Sequence, residues 1–121
     1  MEPSTDPLPR LRALCMALPE VVEKVSHGEP TWFVRRVFVS YADRHHDDVL
    51  GFWCAAPPGA QEELVAADPE RFFRPPYVGG RGWLGVRLDV EVDWDEIGEI
   101  VTDAYRQIAP KKLVALLGRG V

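Results

Sequence analysis

The sequence predicts an α+β domain: an antiparallel sheet covered by helices, in the order helix, three strands, helix, one or two strands, helix, helix. Three observations predict it. Between Thr31 and Leu88 the chain breaks into short runs rich in valine and aromatic residues, set off by Gly, Pro and Asp clusters, which is the pattern of strands. Both ends instead repeat apolar residues at three- and four-residue spacing, the period of a helix lying on a core. The length, 121 residues, suits one domain, and 46% hydrophobic with 27% charged residues is an ordinary globular balance.

Taken in order, residues 1–5 read as a loose tail, and residues 6–118 as the domain. Asp6 followed by Pro7 fits a helix start, with a carboxylate cap and proline in the first turn. Leu8, Leu11, Leu14, Cys15 and Leu18 then share one helical face, and Pro19 ends the helix. "VSHGEP" reads as a turn around His27-Gly28 and Pro30. Strands are expected at Thr31–Arg35, Val37–Tyr41 and Val49–Cys54, with Arg35-Arg36 at a tight hairpin and "ADRHHDD" as a polar loop. Gln61 to Ala67 is a short helix.

Phe72 to Val78 is expected to be extended at an edge or bulge, because of Pro75 and Pro76. Gly79, Gly80 and Gly82 form a turn before the return strand, Trp83 to Leu88. Alternation puts Leu84, Val86 and Leu88 on one face, the core side. It sends Trp83, Gly85 and Arg87 outward. Asp93 and Glu96 form a capping box for a helix with a stripe at Trp94, Ile97, Val101, Ala104 and Ile108. Pro110 opens a final helix carrying Leu113, Val114, Leu116 and Leu117, closed by Gly118.

Composition narrows the function classes. The net charge is −5 and the pI about 5.1, against the basic balance usual for a dedicated nucleic-acid domain. Cys15 and Cys54 are the two cysteines; without a C-x-x-C they read as small buried thiols. No apolar run reaches membrane-spanning length and no apolar leader opens the chain, so a cytoplasmic protein without membrane attachment is expected.

Charge is blocked along the chain. Residues 71–88 hold Arg71, Arg74, Arg81 and Arg87 and no acid. Residues 89–103 hold acids alone, and residues 104–121 return to Arg106, Lys111, Lys112 and Arg119. Arginine beside Trp83 and Tyr77 suits phosphate contact with base stacking, and Arg35-Arg36 at a hairpin tip suits a phosphate backbone. Solvated surface with local pairing is the alternative. His45, His46 and Asp48 fall short of the three or four converging ligands a metal site needs, so neither metal nor cofactor is expected. His27 beside Ser26 has no orienting third group, so no catalytic set is assigned. "GGRG" leads into a strand rather than a helix, which argues for a turn over a phosphate loop.

Three stretches together carry a resemblance: "LPEVVEKVSHGEPTWFVRRVFVSY" (18–41), "RFFRPPYVGGRGWLGVRLD" (71–89) and "DWDEIGEIVTDAYRQIAPKKL" (93–113). The chain resembles the MmcQ/YjbR family from about Leu8 to Leu117. The resemblance implies a small α+β domain similar to the type III secretion chaperone fold. It also implies a DNA-binding label resting on two projecting hairpins, a double wing, with no catalytic residues to carry over.

Two readings follow. The first is a non-catalytic module that docks weakly and salt-sensitively on DNA. Arg35, Arg36, Arg74, Arg81, Arg87, Lys111 and Lys112 would meet phosphates, with Tyr77 and Trp83 as aromatic partners. The second is a module for a protein partner, a homodimer or a small ligand, using an aromatic sheet face where Gly51 adjoins Trp53 and Gly85 adjoins Trp83. An enzyme is the least supported.

Overall fold

The computed structural model describes residues 6–44 and 49–117. Expectations for residues 1–5, for His45, His46 and Asp48, and for Gly118 and Arg119 lie outside the described residues. The chain runs α1 (Leu8–Met16), β1 (Val22–Ser26), β2 (Glu29–Val34), β3 (Arg36–Asp43), β4 (Leu50–Cys54), α2 (Ala60–Ala67), β5 (Phe72–Phe73), β6 (Leu84–Arg87), α3 (Trp94–Ile108) and α4 (Lys111–Leu117). The six strands form one antiparallel sheet in the order β1-β2-β3-β4-β6-β5. This is the predicted α+β class.

One face of the sheet holds the core. Trp32, Val34, Phe38, Val39, Phe52, Cys54, Leu84 and Val86 are buried there with Leu11 and Cys15 of α1 and Ile97, Val101, Ala104 and Tyr105 of α3. Phe38 meets Tyr105 edge-on, with centroids 5.7 Å apart, and the Tyr105 hydroxyl donates to Pro19 O at 2.8 Å. Leu84, Val86 and Leu88 are buried, as alternation predicts. Both cysteines are free and buried, and burial pushes their thiols well above the ordinary range.

The helix ends largely follow the sequence. Helix α1 starts one residue later than expected, with Pro7 as its cap and Asp6 before it, whose carboxylate still accepts from Leu8 N at 3.0 Å. Asp93 caps α3 through Asp95 N and Glu96 N. The capping box is only half made, because Glu96 turns to the Arg71 guanidinium instead of reaching back. An ionised partner offers a stronger bond than one backbone amide. In α4 only Leu113 is buried, and Leu116 is half exposed.

Two elements depart from expectation. Strand β1 was not expected: it runs through Val22–Ser26, of which only the last two residues were read, as part of a turn. Its inward residue is Glu23, a carboxylate, so no apolar alternation marks the strand. Glu23 accepts from the Trp32 indole Nε1 at 2.9 Å and from Arg12 Nε at 2.8 Å. These bonds, above all the one to Arg12, hold its carboxyl below the usual carboxylate range. His27 and Gly28 then turn with φ of 54° and 82°, the two left-handed residues a two-residue hairpin of this twist requires.

The second departure is the segment 74–83. Only Phe72–Phe73 pairs as strand, and the chain then passes through Tyr77 at φ 67° and a 3-10 turn at Gly79–Arg81. Pro75 and Pro76 withhold the backbone donors a longer ladder needs. Buried Gln61 of α2 donates Nε2 to Gly79 O and to Trp83 O, which ties the segment down. The expected hairpin of Phe72–Val78 with Trp83–Leu88 is therefore cut to two paired residues, Phe72 with Val86 and Phe73 with Gly85.

Candidate ligand-binding hollow

The strand register assigns the face away from α1 and α3. Thr31 pairs with Ser40, Ser40 with Trp53, and Trp53 with Gly85, so these four form one row across β2, β3, β4 and β6. Phe33 pairs with Val37, and Ala42 with Gly51, on the same face. A register shift between Trp32 and Phe33 leaves Phe38 as an extra residue on β3. That bulge keeps Phe38 and Val39 both toward the core, and it bends the sheet.

Over this row lies a hollow of about 600 Å³. Its floor is made of small side chains, the hydroxyl-bearing Thr31 and Ser40 and the methyl of Ala42. Phe33 and Val37 bound it on one side, and Trp53, Tyr77 and Trp83 on the other. Tyr77 leans toward Trp53 with ring centroids 6.5 Å apart while remaining 80% exposed. Ser26, His27 and Glu29 close the far corner. There the Glu29 carboxylate accepts from Asp43 N at 3.0 Å. The volume falls within the range of small-molecule pockets, and the lining combines aromatic walls with a few polar groups.

The two glycines do not create the space expected of them. A Cβ at Gly85 would fall 2.4 Å from the Phe73 ring, so Phe73 already fills that gap. A Cβ at Gly51 would fall 2.2 Å from Val86 O. The open volume sits beside them, over β2 and β3, and comes from the small side chains Thr31, Ser40 and Ala42. Those residues were not singled out from the sequence. The signal for them was the alternation that sets Thr31 on β2 and Ser40 and Ala42 on β3, small or hydroxylated residues, on the non-core face of the sheet.

Each cation expected at a DNA surface can now be placed. Arg35, at φ 69° in the β2–β3 turn, pairs with Glu20 at 3.0 Å. Arg87 makes two bonds to Asp89 at 2.9 Å, which lower the Asp89 carboxyl. Arg71 joins Asp68 and Glu96, so the basic stretch and the acidic helix α3 meet rather than separate. Trp83 does point away from the core trio, but it is 5% exposed and forms a wall of the hollow, not a surface stacking platform. Arg36, Arg74, Arg81, Lys111 and Lys112 are exposed and make no ion pair among the described residues. Arg74 lies across Gly79. Arg81 stacks over Trp83, 5.3 Å from the ring centroid. Among the described residues no group of three His, Cys, Asp or Glu converges.

A sequence model of the YjbR family matches residues 16–107, three quarters of the chain. The chain belongs to the YjbR family. No curated protein matches it. The YjbR fold is also similar to the crystal structure of Deinococcus radiodurans protein DR2400, of the DUF419 family. The two are 22% identical with a TM-score of 0.72, over 92% of this chain and 87% of the other. At that identity the likeness concerns the fold. No described helix of this YjbR chain is long and apolar enough to cross a membrane.

Proposed function

We propose that this chain is a small-ligand-binding module whose site is the hollow on the sheet face away from α1 and α3. The observation that carries the reading is the hollow itself, about 600 Å³, floored by small hydroxylated residues and walled by Phe33, Trp53, Tyr77 and Trp83. A protein core closes such space, because unfilled volume beside large rings forfeits dispersion contacts. A flat apolar ligand would recover them.

The test is an NMR titration with 2-naphthamide, a neutral planar probe. The indole N–H signals of Trp53 and Trp83 should move with saturation, while that of Trp32, buried on the opposite face, should stay. Ser40→Phe should fill the floor and abolish the response with little change in melting temperature. Unmoved Trp53 and Trp83 signals in a folded protein would remove the proposal.

A second reading has its own support. Arg36, Arg74, Arg81, Lys111 and Lys112 have no carboxylate partner among the described residues, which leaves them available to phosphates. Against it stand the net charge of −5 and the pairing of Arg35 and Arg87. Anisotropy of a labelled duplex separates the readings. Docking on DNA should give a salt slope that falls by about one for each of Arg36→Ala and Lys111→Ala. Absence of binding in low salt at micromolar protein would end this reading and leave the hollow untouched.

A further inference from the structure

We infer that the ligand of the hollow is an anion with a planar aromatic body, its negative group held by Arg81. This rests on the hollow being a binding site and specifies its chemistry. Among the residues that line it, Arg81 is the single arginine or lysine. It is exposed, it makes no ion pair among the described residues, and its guanidinium lies 5.3 Å from the Trp83 ring centroid. Attraction to the ring holds the guanidinium beside the hollow that Arg81 lines, and its planar fork of N–H donors matches a carboxylate. A carboxylate there would receive charge-assisted bonds, which are about twice as strong as neutral ones.

The rest of the lining fixes the orientation. The one lining carboxylate, Glu29, pairs in register with Ser26 at the β1–β2 end, while Arg81 precedes β6 three strands away. An anion is therefore drawn to the Arg81 corner and turned from the Glu29 corner. Between the corners lie Phe33 and Trp53, whose rings suit offset stacking on a planar ligand. Below them the Ser40 hydroxyl makes no hydrogen bond among the described residues, which leaves it one to offer.

The experiment compares three probes of one shape: 2-naphthoate, 2-naphthamide and 2-naphthylmethylammonium, each titrated by NMR on the Trp53 and Trp83 indole signals. Naphthoate should bind about tenfold more tightly than naphthamide, and the ammonium most weakly. Arg81→Gln should abolish the advantage of naphthoate while leaving naphthamide affinity within about twofold. That split is one a merely structural role could not give, since loss of the fold would weaken both. If naphthoate and naphthamide bind equally in the unsubstituted protein, or if Arg81→Gln weakens both alike, the inference falls while the hollow stands as a site. If none of the three binds, the binding module itself is refuted.

Discussion

Trp32→Ala is expected to cost about 4 kcal/mol of stability, the middle of the range for truncating a large buried aromatic. Trp32 is fully buried on the core face of β2. It pairs with Val39 on one side and Glu23 on the other, so truncation opens a void bounded by a sheet that cannot close over it. A second cost comes from the indole N–H to Glu23, one of the bonds holding that carboxylate beside Arg12. Urea unfolding followed by circular dichroism reads the difference. Trp32→Phe keeps most of the volume but loses the indole donor, and should cost about 1–2 kcal/mol. If the alanine variant loses less than about 2 kcal/mol, Trp32 is not the anchor of the core.

Gly51→Ala is expected to cost about 3 kcal/mol, large for one methyl group and at the top of the range for overpacking. Gly51 sits in β4 between Ala42 of β3 and Arg87 of β6. The added carbon would meet Val86 O at 2.2 Å and Val86 C at 3.1 Å. These are backbone atoms of a paired strand, so relief requires β4 and β6 to part in the middle of the sheet. Gly98→Ala in α3 makes the contrast. There the new methyl would lie 3.6 Å from Leu14 Cδ2, an ordinary contact. Alanine favours a helix over glycine by about 0.8–1 kcal/mol, so that variant should be more stable than the parent. Equal melting temperatures for the two variants would contradict the packing described here.

The pattern of legibility follows from which forces act locally. Helices α1 and α3 were readable because a stripe of Leu11 and Cys15, or of Ile97, Val101 and Ala104, writes the helical period directly into the chain. Strands β2, β3, β4 and β6 were readable because β-branched and aromatic runs stop at Gly, Pro and charged turns. Strand β1 was not, since its inward Glu23 carries no apolar signal and finds its partners, Arg12 and Trp32, in other elements. Neither was the fate of the basic stretch. Arg71 and Arg87 look alike as the two ends of one acid-free stretch, yet one is captured by Glu96 across the fold and the other by Asp89 two residues away.

By itself the sequence determined the class of fold, the core face of β6, the burial of both cysteines and the turn at His27-Gly28. Each of these depends on side-chain period or on backbone conformations that a few residue types favour. Only the tertiary structure decided that Trp83 is a wall and not a platform, that the segment 74–83 folds in under Gln61, and that Thr31, Ser40 and Ala42 leave a hollow between the aromatics. Those outcomes depend on strand order, on one extra residue in β3 and on which charges come within reach of one another. Such distances arise between residues far apart in the chain, and no local pattern encodes them.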